Sequence, residues 1–283
     1  MGKFINPFSD WGFKLIFGQE ITKDLLICFL NDLLKGEHTI MDLTFKDKEQ
    51  LPETKDMRGI IYDIYCTTDQ DEHIIVEMQN RYQEHFIDRS LYYASRAIVS
   101  QGVKGDWDYR LSPVYTVCFM NFNVDSKSPK KFRTDIFLTD KETGQVFSDN
   151  LRMIYLMLPL FTKEEEECET DFERWIYILK NMSTLERMPF MARNAVFQKL
   201  AEIADITALS KEDREKYDES IKVMRDNIAA YKGAIIEGRI EGKKEGKKEG
   251  KIEIAKIMLM ENEPIDKIAR YTGLAKEDIL KLN

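Results

Sequence analysis

The chain has 283 residues, a formal net charge of −8 at pH 7, and 16 Phe, 12 Tyr and 3 Trp. Such a length accommodates one sizeable core domain with appended helices or two small domains, and the aromatic content excludes a largely disordered chain. The negative charge excludes nucleic-acid binding by overall charge alone, so that function would need a local basic patch or a divalent cation.

The first part of the chain combines helical and extended patterns. Apolar residues at helical spacing, ended by Gly36, predict a helix at residues 21–35. Extended runs follow, interrupted by a polar loop around Pro52 and by a turn-rich segment. We place these strands at residues 40–45, 60–67 and 73–79.

The middle of the chain completes an α/β pattern, and helices follow it. A helix is predicted at residues 86–100, and apolar runs at 114–122 and 154–161 indicate further strands. This order predicts an α/β core over residues 1–163. No strand pattern occurs beyond about residue 165, so we expect a helical region over residues 164–236.

A four-residue repeat of the type Glu-Gly-Lys-Lys fills residues 237–251. Each Glu–Lys pair favours helix by roughly 0.2–0.5 kcal/mol, whereas each Gly costs about 1 kcal/mol relative to Ala. The balance favours a flexible linker, with a helix stabilised by self-association as the alternative. Residues 252–283 predict a small helix-turn-helix-like tail of three short helices, at 252–261, 264–271 and 275–282. DNA binding and self-association are both open for this tail.

The four cysteines are far apart and form no paired motif, and three of them stand in apolar runs. This usage indicates a reducing compartment, without a disulfide framework or a zinc site. The sequence predicts no signal peptide, and its apolar run at residues 25–34 is too short to cross a bilayer. We therefore expect a cytoplasmic protein without membrane contact.

Two carboxylates interrupt the apolar strands of the predicted hairpin. Asp63 lies in the first strand, and Glu77 lies in the second, two residues before Gln79 on the same face. If the turn is symmetric about Gln70, Asp63 and Glu77 face each other with Cβ atoms roughly 4.5–5.5 Å apart. Such a pair is destabilising unless a cation joins the carboxylates or one is protonated, and Mg²⁺ prefers oxygen ligands of this kind. The alternative is a solvated pair on an amphipathic hairpin.

Several short motifs, taken in their order along the chain, resemble the recombination-promoting nuclease and transposase-like family of the PD-(D/E)XK nuclease superfamily. The resemblance touches both ends of the chain. It is carried by residues 9–17, Asp63, residues 75–79, Arg89, Tyr93, and residues 254–259 and 268–274. It implies a restriction-endonuclease-like fold, a mixed sheet flanked by helices, followed here by the helical C-terminal region.

The resemblance also implies a Mg²⁺-dependent DNA endonuclease, with another divalent ion as an alternative, in recombination, mobile-element or defence biology. Asp63 and Glu77 would bind the metal with the Met78 carbonyl. The superfamily usually has Lys where this chain has Gln79, which hydrogen-bonds water but brings no charge. A catalytically weak or inactive DNA-binding or self-assembling protein is therefore the alternative function.

Other residues are candidates for supporting this site. Asp10 is the preferred additional acid over Glu20, although a helix N-cap is an equal alternative for Asp10. Lys14 is a candidate phosphate contact. Arg89 and Tyr93 share a helix face and are candidates for phosphate contact, site support or packing.

Overall fold

The structure is a computed structural model that describes residues 2–37, 39–50, 59–123 and 131–282. The chain forms two compact units, Met1–Met224 and Arg225–Asn283. The loop predicted around Pro52 lies outside the described residues.

Two groups of consecutive strands, separated by one helix, lie between helices at both ends of the chain. Within the described ranges the helices are α1 (Asp10–Phe17), α2 (Lys23–Leu33), α3 (Phe86–Val99), α4 (Asp171–Asn181), α5 (Ala195–Ala204), α6 (Lys211–Met260), α7 (Ile265–Thr272) and α8 (Lys276–Leu280). The strands there are β1 (Leu43–Phe45), β2 (Glu49–Gln50), β3 (Ile60–Ile61), β4 (Ile64–Thr68), β5 (His73–Gln79), β6 (Val114–Met120), β7 (Arg133–Thr139) and β8 (Val146–Met157).

Within the described part of the chain, six strands form one mixed sheet in the order β1-β4-β5-β6-β8-β7. Strand β6 is parallel to both β5 and β8, and the other neighbours in this sheet are antiparallel. Strands β2 and β3 pair separately. A mixed sheet flanked by helices confirms the predicted α/β fold class.

The strand predicted at residues 60–67 is interrupted where Asp63 stands. β3 ends at Ile61 and pairs with β2, whereas β4 begins at Ile64 and pairs with β1 and β5. Between them Tyr62 is buried, and its N–H donates to the Lys48 carbonyl. The chain thus passes from one sheet to the other at Asp63. The Asp63 carboxylate therefore does not lie within a continuous strand between two apolar layers.

Strand β7 and the beginning of β8 were missed by the sequence prediction. β7 is an edge strand, and its side chains Ile136 and Leu138 are exposed rather than buried. An edge strand buries only part of its surface, so its sequence carries a weaker alternation than the central strands.

Helices α1, α2, α4 and α5 share one aromatic core against one face of the sheet. The ring of Phe17 lies 5.4 Å from that of Phe29 and 6.0 Å from that of Trp175, which lies 5.2 Å from Phe197. All four side chains are buried, and each such burial contributes roughly 1.5–3 kcal/mol. Helices α4 and α5 lie beyond the predicted boundary at residue 163 and contribute to the same core as α1 and α2. Helix α3 packs on the opposite face, with Ala94 and Ala97 among the buried residues there.

The Glu-Gly-Lys-Lys repeat lies inside α6, which is helical from Lys211 to Met260, so the linker predicted at residues 237–251 is a helix here. The predicted helix at 252–261 is the end of α6 and not a separate element. In the second unit, Ala255 of α6, Ile268 of α7 and Ile279 of α8 are fully buried together. No helix among the described residues is long and apolar enough to cross a membrane.

Candidate active site

The β4–β5 hairpin brings Asp63 opposite Glu77. Ile64 pairs with Val76 and Thr67 pairs with His73, which is the register expected for a turn centred on Gln70. Immediately before β4, the Asp63 N–H donates to Glu77 Oε1 at 3.2 Å. In return the Met78 N–H donates to Asp63 Oδ2 at 2.8 Å. The two carboxylates are therefore cross-connected through the backbone of the opposite segment.

Both carboxyl groups lie in an environment that disfavours their charge. Only 5% of Glu77 is exposed, and burial together with the Asp63 charge raises the pKa of Glu77 to about 8. Burial also raises the pKa of Asp63, although the Met78 N–H acts in the opposite direction. Without a cation, the ionisation of both carboxyl groups is energetically unfavourable.

The pair offers a suitable donor set for a hard divalent cation. One oxygen of each carboxylate accepts a backbone N–H, and the other oxygen of each points to no hydrogen-bond donor among the described residues. Carboxylate oxygens are the ligands that Mg²⁺ prefers, and it commonly binds one or two of them with water and substrate phosphate. No group of three or more His, Cys, Asp or Glu side chains suited to a metal occurs in the described ranges. Further ligands would thus come from backbone, water or substrate.

Gln79 lies at the end of β5, and both ends of its amide are engaged by the protein. Its Oε1 accepts a hydrogen bond from Arg89 Nη2 at 3.1 Å, and its Nε2 donates to the Arg81 carbonyl at 3.0 Å. Alternation along β5 puts Gln79 on the sheet face of Glu77. The structure therefore links Gln79 directly to α3 through Arg89.

Arg89 and Tyr93 lie next to each other on α3, as their i,i+4 spacing predicts. The Arg89 guanidinium lies 5.1 Å from the Phe86 ring centroid and 5.6 Å from that of Tyr93. The Tyr62 hydroxyl donates to the Tyr93 carbonyl at 3.0 Å. Tyr93 thus takes part in the packing that supports Arg89.

Helix α1 carries the two remaining candidates, Asp10 and Lys14. The N-cap is Ser9, whose Oγ accepts from the Gly12 N–H at 3.1 Å, so the alternative N-cap role for Asp10 is wrong. Asp10 is exposed and lies 2.5 Å from Lys14 Nζ. Burial is the main influence on the pKa of Asp63, but the charges of Lys14 and Asp10 also act on it. Both residues are thus within electrostatic range of the carboxylate pair.

The start of α1 is held at the site by contacts that the sequence did not indicate. The Asn80 side-chain amide, directly after β5, donates to the Phe8 carbonyl. A Cβ at position 12 would collide with the Asn6 carbonyl, so Gly12 permits the close approach of this segment. Asn80 immediately follows the strand predicted at residues 73–79, and this position was the sequence signal that could have identified it. The alternative acid Glu20 is exposed and pairs with Lys23 instead.

A mixed sheet that carries two opposed carboxylates at a hairpin is consistent with the PD-(D/E)XK fold. The sequence model of the PD-(D/E)XK nuclease family transposases matches residues 7–234, and the chain therefore belongs to this family. This match confirms the family resemblance and covers the motifs from residue 9 to Tyr93, whereas residues 254–259 and 268–274 lie beyond it. Searches of curated proteins and of solved structures give no match.

Proposed function

We propose that this chain is a divalent-metal-dependent DNA endonuclease that hydrolyses phosphodiester bonds, with Mg²⁺ as its ion. One observation carries the proposal, namely the reciprocal contact of Asp63 and Glu77 at the end of the hairpin. A pair of facing carboxylates with Glu77 buried and Asp63 half-buried is unfavourable in isolation and becomes favourable when a cation joins it. Membership of a nuclease family of this superfamily supports a divalent ion and DNA as substrate.

The proposed chemistry assigns a role to each residue of the site. Hydrolysis joins a water oxygen to phosphorus, breaks one P–O ester bond and leaves a proton on the departing sugar oxygen. A bound divalent ion supplies Lewis-acid polarisation of the phosphate and favours ionisation of water. Asp63 and Glu77 would hold that ion, helped by the Met78 carbonyl. Gln79 would hydrogen-bond the attacking water, and Lys14 would attract the phosphate.

A second candidate is a DNA-binding or self-assembling protein with weak or no catalysis. Gln79 favours it, because this side chain is neutral and its amide is already engaged at both ends. The intact Asp63–Glu77 pair opposes it, since a buried and a half-buried carboxylate on facing segments destabilise a protein that binds no cation there.

The decisive experiment is a plasmid assay with purified full-length protein. Supercoiled DNA is incubated with Mg²⁺, with Mn²⁺ or with a chelator, and nicked and linear products are separated on a gel. The wild type should nick only with a divalent ion, and Asp63→Asn should not nick. Asp149→Asn, which removes the charge of an exposed residue on β8, is the matched control and should cleave like the wild type. DNA binding without nicking in any ion would favour the second candidate.

The wider setting of the activity is also proposed. We place the protein in the cytoplasm, with copies associating through the C-terminal helices, and assign the cleavage to recombination, mobile-element movement or defence. Comparison of recombination frequency in cells that express wild type or Asp63→Asn tests this setting, and equal frequencies would contradict it.

A further inference from the structure

Arg89 is a half-buried cation whose direct partners are neutral. Its guanidinium donates to the amide oxygens of Gln79 and Gln83 and lies over the rings of Phe86 and Tyr93. No ion pair to Arg89 occurs among the described residues. Two hydrogen bonds and two ring contacts fix the plane of the guanidinium, so its charge is held in place without being neutralised by a salt bridge.

Arg89 lies beside the strand that carries Glu77. Its Nη2 donates to Gln79 Oε1 at 3.1 Å, and Gln79 stands two residues after Glu77 on the same face of β5. Lys14, the cation on α1, is already matched by Asp10 at 2.5 Å. When a divalent ion binds the two carboxylates, their charge no longer balances that of Arg89. Arg89 is then the cation at the site whose charge is not compensated.

We propose that Arg89 supplies the positive charge that faces the scissile phosphate, and that Gln79 positions the Arg89 guanidinium through their hydrogen bond. This inference rests on the proposed endonuclease function and deepens it. Phosphodiester hydrolysis builds negative charge on the phosphoryl oxygens, and a preorganised cation in a water-poor site stabilises that charge. A guanidinium suits phosphate because its planar donors match two oxygens at once. The bond changes are those of the hydrolysis given above.

The first test separates charge from packing by moving the charge. Arg89→Met keeps an apolar stem over the two rings and removes the cation, and it should lower the turnover number for nicking about 10²-fold. The double variant Arg89→Met with Gln79→Lys returns a cation to the same place and should recover about tenfold of that loss. Arg187→Ala removes an exposed Arg paired with Glu165 and controls for net charge on DNA binding. It should nick like the wild type.

The second test does not depend on catalysis. Mn²⁺ binding to the DNA-free protein is titrated by electron paramagnetic resonance, and thermal unfolding is followed in parallel. Removal of a nearby cation should leave Mn²⁺ affinity unchanged or raise it in Arg89→Met, while nicking falls. A residue needed only for structure would lower the ion affinity and the melting temperature together with nicking, and the added Lys would not rescue it.

The outcomes distinguish this inference from the proposed function. If the wild type fails to nick with any divalent ion, the endonuclease proposal fails and the role of Arg89 fails with it. If the wild type nicks and Arg89→Met nicks equally, only the present inference is overturned. Loss of nicking in Arg89→Met without recovery in the double variant also overturns it, because the position would then require more than charge.

Discussion

Replacing the half-buried Asp63 by Asn should make the metal-free protein more stable, although most substitutions destabilise a protein. The Asn side chain keeps an oxygen to accept the Met78 N–H, so the hydrogen bond at 2.8 Å can persist. It removes the negative charge that faces Glu77. The variant therefore tests the electrostatic cost of the pair with little change in shape.

The magnitude follows from the pKa of Glu77, which is raised from its usual 4.5 to about 8. Between pH 4.5 and pH 7 the folded protein keeps a proton on Glu77 that the unfolded chain has released. This difference lowers the free energy of unfolding by about 1.4 kcal/mol per pH unit. At pH 7 this costs about 3 kcal/mol of unfolding free energy. Burial is the larger cause and Asp63 the second, so we expect Asp63→Asn to recover about 1 kcal/mol. That corresponds to a rise in melting temperature of roughly 2–4 °C.

The pH dependence has a definite sign. Because the folded state binds the Glu77 proton more tightly, the stability of the metal-free wild type should fall as pH rises from 4.5 towards about 8. In Asp63→Asn this fall should be smaller, since Glu77 then lacks its negatively charged neighbour. Thermal unfolding in a chelator at a series of pH values measures both effects, with Asp149→Asn as the control.

A divalent ion should reverse the order of stability. At a free ion concentration of about 100 times Kd, the wild type should gain about 2.7 kcal/mol, whereas Asp63→Asn should gain much less because it has lost a ligand. The reasoning is refuted if Asp63→Asn melts below the wild type in chelator, or if Mg²⁺ or Mn²⁺ raises both melting temperatures equally.

The other predictions concern the tail and the core. Residues 232–256 hold eight Lys and Arg against five Glu, so truncation after Tyr231 should weaken DNA binding and flatten its salt dependence. Binding titrations at several salt concentrations with unchanged slope and affinity would assign the tail to assembly. A Cβ at Gly242 or Gly246 would meet nothing within 4 Å, so changing both to Ala should add about 1 kcal/mol each to helix stability, visible as a higher helix-melting temperature by circular dichroism. Trp175→Ala should cost about 3–5 kcal/mol in urea unfolding, and a loss below 1 kcal/mol would contradict the assigned core.

Local sequence determined the hairpin and its opposed acids. A short turn between two apolar strands leaves few registers that keep both apolar faces buried, so the pairing of Asp63 with Glu77 followed from the spacing of residues 60–79. Helices α2 and α3 were predicted from a different pattern, because their apolar residues recur at helical spacing over several turns. The interruption of the first hairpin strand at Asp63 was not predicted, because the apolar Tyr62 fits the pattern of a continuous strand.

Only the tertiary structure decided which other side chains reach the carboxylates. Arg89 lies ten residues beyond Gln79 on a different element, and nothing in the chain between them specifies that the guanidinium turns back to the amide. The ion pair of Asp10 and Lys14 approaches the site because Asn80 holds the segment before α1, a contact 72 residues apart in the chain. Side-chain periodicity encodes which face of an element is buried, whereas the meeting of faces from different elements depends on how the whole core packs.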